Sequence, residues 1–308
     1  MDNVRNPLEE SYLRRQKLTE STNVFRALHR GELPDVDLVV DIYNKYFCAM
    51  LYQDKNPSDI LTKISNRFNL MGGVLKYPQK DPHNVGWIKE LEIVGEKPPA
   101  WFEVTENGIK FKVTLTEKQH TGLFLDQRDN RFWVKENSKN KMVANLFAYT
   151  CSFSVMAAVG GATKVHSVDI SKPFLEWGKE NFLLNDLKTE GHYFFADDVR
   201  DWLNRRIKKI SLNKEPKFDL VICDPPSFSK GAKNQKPFKV EREWPALCEG
   251  IKKILSPSGV AVFSNNLQER SDKFFKNHLL LHFSIEELAT QPDFMGTFHA
   301  RYFRAIPK

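Results

Sequence analysis

The sequence predicts a doubly wound α/β domain with a mostly parallel sheet, preceded by a smaller α+β domain. Three observations predict it. From Met142 onward, short apolar runs alternate with helix-patterned segments, the sign of βαβ units and a parallel sheet. Three of those runs end in acids, at Asp169, at Asp197-Asp198 and at Asp224. The last acid is followed by Pro225-Pro226-Ser227-Phe228, a turn whose prolines lack N–H groups and fix φ.

Residues 1–118 read as the smaller domain. A basic helical stretch over 8–28 carries Arg14, Arg15 and Lys17. Strands over 36–42 and 46–52 meet at Asn44-Lys45 as a hairpin. Residues 58–68 place Ile60, Leu61, Ile64 and Phe68 on one helical face. The Pro-, Lys- and Asp-rich run 76–84 reads as a loop, and 87–94 alternates as a strand. Asn107-Gly108, between 101–105 and 109–115, is the signature of a type I′ hairpin.

Residues 119–308 read as the larger domain. An apolar strand over 142–147 leads to a helix over 152–159 closed by Gly160-Gly161. The strand 165–168 precedes a helix over 173–184, capped by Ser171 with Pro173 near its start. Then come strand 192–195, helix 199–207, strand 218–223, helix 241–255, strand 260–264 and helix 270–277. Strands over 280–288 and 297–306 close the sheet, with room for one antiparallel partner.

Composition excludes some classes and favours others. Of 308 residues, 41% are hydrophobic and 28% charged, as in soluble globular proteins. The formal net charge of +7 suits a polyanionic partner. Cys48, Cys151, Cys223 and Cys248 form no Cys-x-x-Cys pair, so no metal site is expected, and a reduced, cytoplasmic setting is. The charged start over 1–18 is no signal peptide, and no apolar run spans a bilayer.

In this architecture ligands lie across the carboxyl ends of the strands. An acid ending the second strand of the unit, Asp169, is placed to accept both hydroxyls of a ribose, and an acid after the third can accept from an adenine amine. One such acid alone reads better as a helix cap; three in register point to an adenosine-containing ligand. A nicotinamide dinucleotide needs Gly-x-Gly-x-x-Gly after the first strand. The loop here is Phe147-Ala148-Tyr149-Thr150-Cys151-Ser152, without glycine. S-adenosylmethionine carries no phosphate and needs those glycines less.

Five motifs occur in order: Leu123-Phe124-Leu125-Asp126-Gln127-Arg128, Asn145-Leu146-Phe147-Ala148-Tyr149-Thr150, Ser167-Val168-Asp169-Ile170-Ser171, Asp224-Pro225-Pro226-Ser227-Phe228 and Phe263-Ser264-Asn265-Asn266. The set resembles the class I (Rossmann-like) methyltransferases of bacterial large-subunit (23S) ribosomal RNA. Within them it is most similar to the guanine-N7 branch, found as the C-terminal half of a fused bifunctional enzyme; a cytosine-C5 branch shares several motifs. The resemblance covers residue 26 to the end, strongly after Thr121. It implies S-adenosyl-L-methionine as cofactor and ribosomal RNA as partner. It implies cofactor contacts at Asp126, Gln127, Arg128, Asn145, Phe147, Tyr149, Thr150, Asp169, Ile170, Asp197, Asp198 and Asp224. Among these, Asp169 would hold the ribose, Asp197 in preference to Asp198 the adenine edge, and Arg128 the carboxylate. Asp224, Pro225, Pro226 and Phe228 would form the catalytic turn, facing and stacking on the target base.

Two departures from the family pattern carry expectations. Cys151 stands where the family reads glycine, and is expected to crowd the methionine tail or shift the loop. The cytosine-C5 branch needs a cysteine nucleophile after the fifth strand. This chain has Ser264-Asn265-Asn266 there, which disfavours cytosine C5. Guanine N7 has a lone pair and no proton to remove, so placement suffices.

Lys230, Lys233, Lys236, Lys239 and Arg242 follow the catalytic turn and suit an RNA backbone; the bland reading is a solvated loop. Arg205, Arg206, Lys208 and Lys209 read as a solvated helix end. Other readings of the whole are a methyltransferase acting on protein or a small molecule, and a non-catalytic RNA-binding protein that kept the fold. Cys151 is what sustains the latter.

Overall fold

A helix opens the chain because every local signal for one is present. In the computed structural model, which describes residues 6–78, 88–230, 237–268, 270–296 and 300–308, α1 (Pro7–Arg15) starts on Asn6, whose side chain accepts from Leu8 N at 3.0 Å. Glu9 and Glu10 lie in its first turn and Arg14 and Arg15 in its last, complementing the helix dipole. The helix does not run on to residue 28 as expected. It gives way to a 3₁₀ turn at Gln16–Glu20 and then β1 (Val24–Leu28), whose Val24, Phe25, Ala27 and Leu28 are buried in sheet pairing. Arg15, one of the three cations of that basic stretch, is fully buried, with Glu32 on its guanidinium at 2.9 Å.

β2 (Leu38–Tyr43) and β3 (Tyr46–Leu51) pair as the expected hairpin, with Asn44 at φ 60°. α2 (Ser58–Phe68) ends on Asn69 in the left-handed region and crosses to β4 (Gly72–Pro78), parallel to β3. β5 (Ile88–Gly95) completes the order β1-β2-β3-β4-β5. β4 absorbs Lys76, read as loop: a strand that starts on two glycines and ends on proline has weak local signals, and pairing on both edges decides it. β6 (Phe102–Glu106) and β7 (Ile109–Val113) form a separate hairpin, with Asn107 and Gly108 both at positive φ as a type I′ turn requires.

The chain divides into two units, Met1–Arg128 with Gln291–His299, and Asp129–Thr290 with Ala300–Lys308. The first boundary thus falls after Arg128 rather than after residue 118, and a segment distant in sequence joins the first unit.

The second unit contains nearly all of α3 (Arg128–Glu136), then β8 (Met142–Leu146), α4 (Ser152–Val159), β9 (Lys164–Asp169), α5 (Lys172–Leu183), β10 (Tyr193–Ala196), α6 (Val199–Ser211) and β11 (Phe218–Cys223). A short strap, β12 (Phe228–Ser229) with β13 (Phe238–Lys239), precedes α7 (Val240–Ile254). β14 (Leu255–Asn265), α8 (Asp272–Leu280), β15 (Phe283–Glu287) and β16 (Arg301–Pro307) follow. The sheet runs β10-β9-β8-β11-β14-β16-β15, with β16 antiparallel to both neighbours. The chain leaves β8 toward β9 and returns on its other side at β11, so the strand order reverses between β8 and β11.

Two apolar layers sandwich this sheet. Val134 of α3 and Phe153 and Ala157 of α4 cover one face. Trp202 of α6, Trp244, Leu247 and Ile251 of α7 and Phe275 of α8 cover the other. Trp244 meets Phe263 at 5.6 Å and Phe275 at 5.1 Å, both edge-on, a favoured ring geometry.

Three expectations shift here. β14 begins five residues earlier than 260, because Leu255 pairs with Phe218 while 256–259 bulge before Leu220 meets Val260. The expected strand at 280–288 is shortened by α8, which Ser271 caps. Arg206, read as solvated, is buried over Trp202 and Phe218 and bonds His166 Nδ1 at 2.9 Å. Burial, with that cation beside it, lowers the His166 pKa to about 3.

Candidate active site

The loop after β8 is built on backbone strain. Phe147, Tyr149 and Cys151 all have φ between 50° and 60°, a region that costs non-glycine residues about 1–2 kcal/mol each. Strain concentrated in five residues, with no glycine to relieve it, points to a functional loop. A buried polar cluster underlies it: Asn145 Nδ2 donates to Ser154 Oγ at 2.9 Å, and Ser167 Oγ to the same atom at 2.8 Å. Asn145, 1% exposed, is therefore a support beneath the loop.

Asp169 ends β9 beside this loop. Its carboxylate accepts Tyr149 N at 2.8 Å on one oxygen and Ser171 N at 2.8 Å on the other. Each oxygen has a second lone pair. Burial raises the Asp169 pKa, and the two N–H donors pull it back down in part. Ile170, next in line, is exposed. A fixed carboxylate with acceptor capacity left for ribose hydroxyls, beside an exposed apolar side chain on which adenine can pack, fits an adenosine cofactor.

The two acids after β10 divide their roles. Asp198 caps α6, accepting from Arg200 N at 2.8 Å and from the Arg200 guanidinium. Burial raises its pKa, but Arg200 outweighs this and holds it low. Asp198 is thus a helix cap with its own cation. Asp197, half-buried, pairs with Arg205, and its N–H donates to the Asp169 carbonyl at 2.9 Å.

Arg128 has a different partner from the carboxylate the resemblance implied. Both its terminal nitrogens donate to Asp293, at 2.7 and 2.9 Å, and both residues are buried in the first unit. A buried guanidinium requires a fixed carboxylate, and Asp293 is one. Gln127 is buried in the same unit, and the Asp126 carbonyl accepts from Gln291 Nε2.

Asp224 follows β11, in the crevice at the strand-order reversal. Ser264 Oγ donates to its Oδ1, and Ser227 Oγ donates to Asn266 Oδ1 at 2.7 Å. The end of β14 and the residue after it thus tie down both ends of the Asp224–Ser227 turn. Pro225 is buried and Pro226 exposed. Phe228 is 54% exposed, held in the strap by pairing with Lys239. Phe238 of the strap is buried and meets Phe147 at 5.1 Å, joining the strap to the β8 loop.

Of the basic residues after the turn, Lys230 and Lys239 are exposed, while Arg242 bonds Glu243 at 2.9 Å; Lys233 and Lys236 lie outside the described residues. All four cysteines are buried. Burial pushes Cys48 up to about 11 and Cys151 to about 12, and Cys223 and Cys248 up as well, so no thiolate stands ready. Cys151, expected to crowd the methionine tail or shift the loop, keeps φ at 60° and has its side chain fully buried against Gly178 of α5. Among the described residues no cluster of three His, Cys, Asp or Glu could hold a metal, and no helix is long and apolar enough to cross a membrane.

Sequence reasoning used Ser264 and Asn266 only as members of a motif without cysteine, and gave no role to Phe238 or the α5 face. Phe174, Trp177, Gly178 and Asn181 recur at the spacing of one helical stripe, and a glycine inside a helix signals close approach.

Comparison with known proteins agrees with this geometry. The sequence matches the model of a family described as S-adenosylmethionine-dependent methyltransferase over residues 83–299. A protein of Psychrobacter arcticus named ribosomal RNA large subunit methyltransferase K/L is 35% identical over 85% of this chain and 35% of its own length. One of the same name from Shewanella pealeana is 36% identical over 78% of this chain and 34% of its own. The chain thus spans about a third of the length of these curated relatives. The solved structure of SMU.776, described as a methyltransferase and complexed with SAH, aligns with a TM-score of 0.78 at 25% identity, over 97% of this chain and 80% of its own.

Proposed function

The chain belongs to the S-adenosylmethionine-dependent methyltransferases, and on that premise we propose that it methylates guanine at N7 in large-subunit ribosomal RNA, in the cytoplasm. One observation carries the reading: an acid-proline-proline turn, tied at both ends by Ser264 and Asn266, stands beside the β8 loop with no cysteine poised to attack a ring. The names of the relatives support the RNA class.

When bound, the cofactor supplies an electrophilic methyl group on a sulfonium. Asp169 would hold its ribose hydroxyls, Ile170 and Asp197 its adenine side, and residues 147–150 its methionine part. Guanine N7 attacks through a lone pair and bears no proton, so the protein needs no general base. Its work is orientation, which is worth several kcal/mol of the barrier. Asp224 accepts from the amino and imino edge of the base, and its charge faces the positive charge that alkylation leaves on the ring. Ser264 holds that carboxylate in place. The base must leave its stack to enter, and exposed Phe228 offers a new stacking face. Lys230 and Lys239 would contact phosphates beside the turn.

The test is nucleoside mass spectrometry of ribosomal RNA treated with protein and cofactor. The expected product is 7-methylguanosine, with turnover falling about a hundredfold or more in Asp224→Ala while cofactor affinity holds. A 5-methylcytidine product, or a covalent adduct with 5-fluorocytosine RNA that disappears in a cysteine variant, would overturn the assignment.

A further inference from the structure

α5 grips three successive residues of the β8 loop with one face. Tyr149 meets Phe174 edge-on at 4.6 Å and Trp177 at 6.3 Å. Asn181 Nδ2 donates to the Thr150 carbonyl at 2.9 Å, with both residues fully buried. Gly178 stands opposite Cys151, so close that a β-carbon at 178 would lie 2.7 Å from the Cys151 β-carbon and closer still to its sulfur. Real β-carbons essentially never come that near another heavy atom.

Both members of this contact are locally unfavourable. A glycine inside a helix is worse than alanine there. Cys151, at φ 60°, occupies a conformation that disfavours any side chain. Together they fit: the missing side chain of one is the space filled by the other. The sulfur also reaches the Tyr149 carbonyl at 3.8 Å, inside the loop itself.

We propose that Gly178 and Cys151 are a matched pair of positioning residues. The notch at Gly178 receives the Cys151 side chain, and this fit, with the Asn181 bond, sets the conformation of residues 147–151 and through it the affinity for the cofactor. Cys151 acts by shape, not as a nucleophile or redox centre. The proposal rests on the reading of this loop as the cofactor's cradle.

The experiment is calorimetric titration with S-adenosylhomocysteine, paired with iodoacetamide labelling mapped by peptide mass. Wild type is expected to bind, with Cys151 unlabelled; a wild type that does not bind overturns the cradle reading and this proposal with it. Gly178→Ala is expected to lose at least tenfold in affinity and to expose Cys151 to label. Adding Cys151→Gly to Gly178→Ala should restore affinity to within threefold of the Cys151→Gly single variant. Wild-type affinity in Gly178→Ala, a loss that Cys151→Gly does not relieve, or an unlabelled Cys151 alongside weakened binding would each overturn the pairing. If Gly178→Ala fails to fold, the double variant decides: recovery of folding and binding supports the pair, and continued failure refutes it.

Discussion

Asp169 sits between opposing demands. Burial disfavours its charge, while N–H donors from Tyr149 and Ser171 favour it, and burial wins. Only the ionised carboxylate accepts from two hydroxyls at once. Protonation occurs as pH falls through the pKa, which here lies above the ordinary value of about 3.9. Cofactor affinity is therefore expected to be full at neutral pH and to fall on acidification, starting at a higher pH than for an ordinary aspartate. Titrations with S-adenosylhomocysteine across acid pH would show this fall, and Asp169→Asn should flatten it. Asp169→Ala should lose about 1.5–3 kcal/mol for each hydrogen bond removed. Undiminished affinity in a folded Asp169→Ala variant would take this residue out of the site.

At the scale of elements, catalytic geometry depends on how strand ends are held. The Asp224 turn is fixed by the end of β14 below it and by the strap in front of it. The strap has only two residues on each side, too few to be stable alone. Phe238 anchors it, buried in the core on one side of the sheet and packed on Phe147. Phe238→Ala should lower stability by about 3–5 kcal/mol, the usual cost of emptying a buried phenylalanine site, read from the denaturant midpoint. Turnover should fall as well in whatever fraction remains folded, because both Phe228 and the β8 loop lose their brace. A shift below 1 kcal/mol would mean that the strap is held by something other than this ring.

The whole molecule carries a net charge of +7, which by itself attracts any polyanion. Specific phosphate contacts can be separated from this background through their counterion release. Replacing Lys230 and Lys239 together with alanine should flatten the slope of log affinity against log salt by about 1.4 for a single-stranded RNA, at about 0.7 per lost contact. Fluorescence anisotropy across a salt series measures that slope. If it does not change, these two lysines are solvated and RNA is gripped elsewhere. The division of the chain also matters at this scale. Residues 291–296, between β15 and β16 in sequence, belong to the first unit and supply Asp293 to a buried cluster with Arg15 and Arg128 there. A cluster of this kind is costly to break, since removing one partner strands a buried charge.

The sequence by itself determined the alternation of strands and helices after Met142, the acids at the strand ends and the hairpin at Asn107-Gly108, because each rests on local periodicity, capping or backbone preference. It also marked the Asp224 turn, where two prolines leave few conformations open. Only the tertiary structure decided that Val24–Leu28 is a strand, since pairing with β2 outweighs the helical signals before it. Only the fold brought Asp293 to Arg128 across a long separation in sequence, and only it made Asp198 a cap with Arg200 as partner. Cys151 shows the difference most directly. In sequence it is a glycine position filled by a larger residue and therefore suspect. In the folded chain the space it needs is provided by Gly178, on a helix whose approach no local rule specifies.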